Sequence, residues 1–226
     1  MQNSPLLILC AGFGSRMLNL TLDTPKPLLE VQGKILLGNT INFFRDIGFN
    51  EIFINTHYLH TNIESYINKN FNTIQINLIY EPIILGTAGG IKNVFKYTKN
   101  NKICVVNSDI FWKALNKFEI INFLKDFNSV KDCKILLSKK KDIYGIKKTS
   151  GDFNYKNGNV YKWTQGSEII FYSGFQIISK NVFKNFNNVF NMNEVWNELI
   201  FQKKLKGELI NSKILHIGDK NSFDSL

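Results

Sequence analysis

Leu6-Leu7-Ile8-Leu9-Cys10-Ala11-Gly12-Phe13-Gly14-Ser15-Arg16-Met17 is the stretch on which the fold turns. The continuous apolar run Leu6 to Cys10 reads as a buried strand, and Gly12-Phe13-Gly14 as the tight loop that ends it. Two glycines let backbone amides approach a phosphate closely, and the positive charge at Arg16 can grip it. An ordinary strand-to-helix turn would use the same glycines. The dinucleotide fingerprint needs a glycine where Met17 stands, and no G-x-x-x-x-G-K-[ST] sequence occurs. Neither NAD binding nor a Walker A loop is therefore expected.

Outward from this strand, the apolar period switches repeatedly between 2 and 3.6. Helical spacing over Asn39 to Ile47 closes at Gly48. A strand follows at Ile52 to Asn55, then a helix over Thr61 to Asn70 with Thr61 as N-cap and Glu64 completing a capping box. Ile74 to Tyr80 alternates as a strand, Gly86 to Lys99 is helical, and Lys102 to Val106 is another buried strand. This alternation predicts a mostly parallel sheet with helices on both faces. Later come a helix at Phe118 to Phe127 and a strand at Lys134 to Ser138. A hairpin is expected at Asp152 to Tyr155 and Val160 to Trp163, with a long strand at Glu168 to Ile178. Asn191 to Lys204 reads as a helix and Leu209 to Leu215 as the last strand. The expectation is one α/β domain over 1–226 with a β-rich insertion in its second half.

The chain has 226 residues, 44% of them hydrophobic, which suits a packed core and excludes disorder. No apolar run approaches the roughly 20 residues needed to span a bilayer. The opening Met1-Gln2-Asn3-Ser4 lacks a basic n-region, so a cytoplasmic location and no membrane partner are expected. A net charge of +10 suggests anionic partners, but the lysines are scattered, so a nucleic-acid partner is not expected. Among 28 basic residues only Arg16 and Arg45 are arginine, which points to a need for a planar, forked donor at those places. Cys10, Cys104 and Cys133 lie in strand-like stretches without C-x-x-C spacing and read as buried free thiols.

In open α/β sheets, ligands bind beyond the carboxyl ends of the strands. The segments leaving those ends are Ala11 to Arg16, Asn55 to His57, Glu81 to Gly90 and Asn107 to Phe111. Nearby, Thr24-Pro25-Lys26-Pro27-Leu28 sets a lysine between two prolines, which exclude helix and pin its backbone. The loop Ala11 to Met17 followed by this Pro-Lys-Pro resembles the signature of the sugar-1-phosphate nucleotidylyltransferases. Leu85-Gly86-Thr87-Ala88-Gly89-Gly90, Asn107-Ser108-Asp109, Gly151-Asp152-Phe153 and Ser173-Gly174-Phe175 extend the resemblance along nearly the whole chain. Chain length, the Val-Asn-Ser-Asp sequence, the Gly-Asp-Phe/Ser-Gly pair and the closing stretch from Val195 to Gly218 are most similar to a short bacterial subgroup. Its members uridylylate N-acetylmuramate 1-phosphate in peptidoglycan recycling.

The resemblance implies an enzyme with a three-layer, Rossmann-like domain and a mixed, mostly parallel sheet, the nucleotide-diphospho-sugar transferase fold. Residues of about 1–110 would form the nucleotide-binding half and about 111–226 the sugar-binding half, in a monomer or homodimer. Its partners would be a nucleoside triphosphate, UTP by this likeness, and a sugar-1-phosphate. Arg16 would hold the pyrophosphate, Lys26 the α-phosphate or the sugar phosphate, and Asp109 a Mg²⁺ ion. Ala11, Gly12, Gly14, Glu81 and Gly86 would line the nucleotide. Asn107, Gly151, Asp152, Ser173 and Gly174 would line the sugar, although Asp152 is equally suited to the turn before the hairpin. Trp163 and Trp196 read as core or rim packing. Where the family carries a second metal carboxylate, this chain has His216. Either His216 replaces it, or Asp219 moves in, or the metal relies mainly on Asp109, although Mg²⁺ prefers oxygen. Transfer of GTP or dTTP to mannose- or glucose-1-phosphate is the alternative reading, and a non-catalytic nucleotide-sugar sensor is another.

Overall fold

The computed structural model describes residues 4–225; the leader reading at Met1 to Asn3 falls outside them. β1 (Leu6–Leu9) leaves through the glycine loop into short helical turns at Ser15–Thr21 and Lys26–Leu28. The ribbon β2 (Glu30–Val31) and β3 (Lys34–Ile35) leads into α1 (Leu36–Ile47). Next come β4 (Ile52–Thr56), α2 (His60–Asn70), β5 (Ile76–Tyr80), α3 (Gly86–Val94) and β6 (Lys102–Asn107). Then follow β7 (Ile110–Phe111), α4 (Lys117–Leu124), β8 (Cys133–Lys139) and β9 (Ile143–Tyr144). The hairpin β10 (Phe153–Lys156) and β11 (Asn159–Lys162) precedes β12 (Ile170–Ser179). α5 (Met192–Phe201), β13 (Leu205–Ile210), β14 (Ile214–His216) and α6 (Lys220–Asp224) complete the order.

The main sheet runs β10-β11-β13-β8-β12-β6-β1-β4-β5. β6, β1, β4 and β5 are mutually parallel, as the βαβ rhythm of the sequence demands. Antiparallel pairing enters where β12 lies between β6 and β8, so the sheet is mixed. The hairpin extends this same sheet through β11 and β13, and Asn157 and Gly158 turn it with positive φ of 48° and 80°, as a tight hairpin turn requires.

Alternation along β1 divides the core. Leu6 and Ile8 pack with Leu37, Ile41, Phe44, Ile63 and Phe123, under α1, α2 and α4. Leu7 packs with Ile91, Val94, Val195 and Leu199, under α3 and α5. Side chains of a strand point alternately to either face, so helices on both sides make three layers. Cys10, Cys104 and Cys133 are free and buried, and burial pushes the Cys10 thiol up to about 12.

Two local expectations are corrected. α2 starts at His60 after Leu59 in the left-handed region at φ 48°, with no side-chain cap. Thr61 thus falls within the first turn and does not cap it. The expected last strand is two strands: β13 joins the main sheet, and β14 joins a small sheet of order β7-β14-β9. Glu119 causes the break, its carboxylate accepting the N–H groups of Asn211 at 2.6 Å and Ser212 at 2.9 Å. Those amides are then committed outside any ladder.

Candidate active site

The parallel strands β1, β4 and β6 end together, and the site is built on those ends. Asn55, the next-to-last residue of β4, accepts the N–H of Cys10 through Oδ1 at 3.0 Å. Its amide also donates to Glu81 Oε1 at 2.8 Å. Ser108, just past β6, donates its hydroxyl to Leu9 O at 2.7 Å and so ties the ends of β1 and β6 together. A side chain at Gly12 would meet only open space, whereas one at Gly14 (φ 68°) would press on Lys26 and Thr21. The loop is therefore open at its first glycine and packed at its second.

Lys26 is buried between Pro25 and Pro27, and its ammonium donates to Asp109 Oδ2 at 2.8 Å and Gly218 O at 3.4 Å. His216 Nε2 lies 3.5 Å from the same carboxylate oxygen. Burial by itself would push the Asp109 carboxyl up. The Lys26 ammonium and then His216 outweigh it and hold the group well below the usual carboxylate range. Asp109 Oδ1 and His216 Nδ1 are buried without a hydrogen-bond partner among the described residues. The pairing of β14 with β7 sets His216 opposite Ile110, next to Asp109 in the chain. Gly145 at φ 89° lets β9 pass the His216 carbonyl, with which any side chain there would collide.

Two clefts meet at this cluster. The first, of about 330 Å³, is lined by Ala11, Gly12, Gly14, Arg16, Lys26, Glu81, Gly86 and Asp109, all sites expected from the sequence. The second, of about 560 Å³, is lined by Asn107, Gly151, Asp152, Gly174 and His216 among the expected residues. Arg16, Asn107 and Gly218 border both. Ser173 is not part of either cleft: it is fully buried, and its hydroxyl donates to Leu136 O at 2.8 Å. Strand alternation turns its side chain away from the cleft that Gly174 reaches, and this removes it from the expected sugar side. Asp219 lines the second cleft, but its carboxylate caps α6 by accepting Ser222 N–H at 2.8 Å. Asp152 accepts Tyr172 N–H at 3.2 Å and faces Lys148 at 3.5 Å.

Glu81 is almost wholly buried, and burial pushes its carboxyl above the usual range, opposed by the hydrogen bond from Asn55. Its second oxygen accepts Leu85 N–H at 3.5 Å. Both oxygens are thus engaged with the walls of the cleft. Asn55, Thr87, Ser108, Lys147 and Lys148 also line the clefts and carried no assigned role in the sequence reading. Asn55 had a signal, since it stands at a predicted strand end.

The sequence profile of the nucleotidyl transferase family matches residues 6–160. N-acetylmuramate alpha-1-phosphate uridylyltransferase of Neisseria meningitidis serogroup B is 39% identical over 107 residues, 46% of either chain. D-glycero-alpha-D-manno-heptose 1-phosphate guanylyltransferase of Aneurinibacillus thermoaerophilus is 30% identical over 103 residues, 46% of this chain and 45% of its own. These matches span about half the length of the curated relatives. The crystal structure of HddC from Yersinia pseudotuberculosis complexed with GMP-PN superimposes with TM-score 0.77 at 24% identity, covering 99% of this chain and 97% of that one. A putative glucose-1-phosphate thymidylyltransferase from Bacillus anthracis gives TM-score 0.81 at 16% identity, covering 99% and 93%. At such identities the likeness is one of fold.

Proposed function

The chain belongs to the nucleotidyl transferase family, and from that premise we propose that it transfers a nucleotidyl group from a nucleoside triphosphate to a sugar-1-phosphate. The carrying observation is the Lys26–Asp109 contact of 2.8 Å, placed where a glycine-lined cleft meets a second, more polar one. The triphosphate would lie over Gly12 to Gly14 in the first cleft, lined mostly by residues of the N-terminal half and by Gly218, and the sugar phosphate in the second. A phosphate oxygen of the sugar phosphate attacks the α-phosphorus in line. The bond from that phosphorus to the bridging oxygen breaks, and pyrophosphate leaves with the electron pair. The attacking oxygen is already anionic, so no general base is needed. What the protein must do is align two mutually repelling anions and neutralise their charge.

Lys26 would hold the α-phosphate or the sugar phosphate. Arg16, exposed at the border of both clefts, presents its fork to the departing pyrophosphate. A divalent cation fits these residues. Mg²⁺ is commonly held by one or two carboxylates plus substrate phosphates, and Asp109 offers a buried, unpartnered oxygen. Asp109 would hold it, with His216 beside it, since Asp219 is spent on its helix cap. Bound there, the ion would offset negative charge on the transferred phosphoryl group.

The finer reading is UTP with N-acetylmuramate 1-phosphate, supported by the relative at 39% identity. With both Glu81 oxygens engaged, base reading falls to backbone groups around Ala11, Gly12 and Gly86, which suit the donor-and-acceptor edge of uracil. Guanylyl transfer is the second reading, favoured by the heptose-phosphate relative at 30% identity. Pyrophosphate release, measured for each triphosphate against a panel of sugar-1-phosphates, tests both. Turnover with UTP and N-acetylmuramate 1-phosphate is expected; turnover with no pair would leave a binding protein.

A further inference from the structure

The acceptors around the Lys26 ammonium are those a divalent cation would seek. Asp109 Oδ2 is at 2.8 Å, Gly218 O is at 3.4 Å, and His216 Nε2 closes on the same carboxylate oxygen at 3.5 Å. Carboxylate and carbonyl oxygens are the donors preferred by hard cations. The lysine reaches them from a backbone held by a proline on either side, and its side chain is 11% exposed. A divalent ion on Asp109 would therefore stand within a few ångström of an ammonium, and like charges so placed in a partly buried site repel strongly. A triphosphate removes the conflict. Its oxygens give the ammonium new acceptors, and they complete the ligand shell of an ion that keeps only one or two protein carboxylates.

We infer that Lys26 is a stand-in cation: its ammonium holds the divalent-metal position until a triphosphate draws it away, so the metal enters as the metal–triphosphate chelate. This rests on the reading of Asp109 as the metal carboxylate under the proposed function. It adds that the site is closed to free metal, and that one lysine both guards the position and binds the phosphates afterwards. Among the described residues Asp109 Oδ1 is buried without a partner, so the carboxylate keeps one oxygen that the ammonium does not occupy.

The test titrates MnCl2 alone, without nucleotide, into the whole protein and follows free Mn²⁺ by electron paramagnetic resonance. The proteins are the wild type, Lys26→Met, Lys26→Gln, and Lys26→Met combined with Asp109→Asn, each checked for native circular dichroism. Either lysine variant should bind one Mn²⁺ at least ten-fold more tightly than the wild type, and the double variant should lose the gain. The second lysine variant serves if the first does not fold. Equal affinity in wild type and lysine variants, or a gain that survives Asp109→Asn, overturns the inference. Turnover by the wild type is scored separately. An active enzyme with no gain in the variants sinks this inference alone, and a gain without any turnover sinks only the transferase reading.

Discussion

Asn55 Nδ2 donates to Glu81 Oε1 at 2.8 Å while Asn55 Oδ1 accepts Cys10 N–H at 3.0 Å, so one amide fastens the end of β1 to the far wall of the first cleft. Both side chains are almost wholly buried. Removing the amide leaves one buried oxygen of the Glu81 carboxylate and a buried backbone N–H unpaired, a loss of about 1–3 kcal/mol for each. Asn55→Leu should lower the unfolding free energy by an amount of that order and raise the KM for the triphosphate more than that for the sugar phosphate. Denaturant unfolding and initial rates with each substrate varied check the pair of effects.

The raised carboxyl of Glu81 makes stability depend on pH in a defined direction. A folded-state value above the unfolded one means that the folded protein binds the extra proton. The contribution is fully present below the ordinary glutamate range and is lost as pH rises through the elevated value. Glu81→Gln removes this dependence while keeping a side chain that can accept from Asn55. The melting-temperature advantage of wild type over Glu81→Gln should therefore be greatest in acid and shrink toward neutral pH. An advantage that grows on raising the pH would contradict the assigned direction.

Lys26 and Asp109 should each be indispensable to turnover. Losing a charge-stabilising group at a reacting centre typically costs about 10²–10³ in rate, so Lys26→Ala and Asp109→Ala should each lower kcat by at least that much. Pyrophosphate release by the folded variants measures it. Wild-type rates in either would remove that residue from the mechanism.

Gly86 at the start of α3 has φ 74°, and a Cβ there would meet Phe190 O at 2.5 Å. Gly86→Ala therefore combines an unfavourable backbone region with a collision against main chain, which cannot swing aside. A cost of about 1–3 kcal/mol is expected, with a raised KM for the triphosphate, because Gly86 lines that cleft. Gly12→Ala, with open space around it, is the control that should leave stability within about 0.5 kcal/mol.

The parallel half of the sheet was legible because β1, β4 and β6 are short apolar runs whose neighbours are punctuated by glycine or polar turns. The glycine loop, the proline-flanked lysine and Asp109 were legible for the same reason: each stands directly after a strand end or in a rigid turn. What escaped depends on partners far away in sequence. The division of β13 from β14 is imposed by Glu119, separated from Asn211 by 92 positions. Ser173 shares its motif with Gly174, and only the pleat of β12 decides which of the two faces the cleft. Lys147 and Lys148 were unremarkable in a lysine-rich chain and gain meaning only from the wall they line.

His216 owes its place to the pairing of β14 with β7, which sets its ring beside Asp109. The backbone delivers whichever residue occupies that address to the wall of the second cleft. Exchanging histidine for aspartate needs a single base change in its codon, so the chain can pass between a nitrogen and an oxygen donor in one mutational step. Were the proposed cation held there, its choice would be an easily inherited setting, kept apart from the scaffold that makes the chain fold.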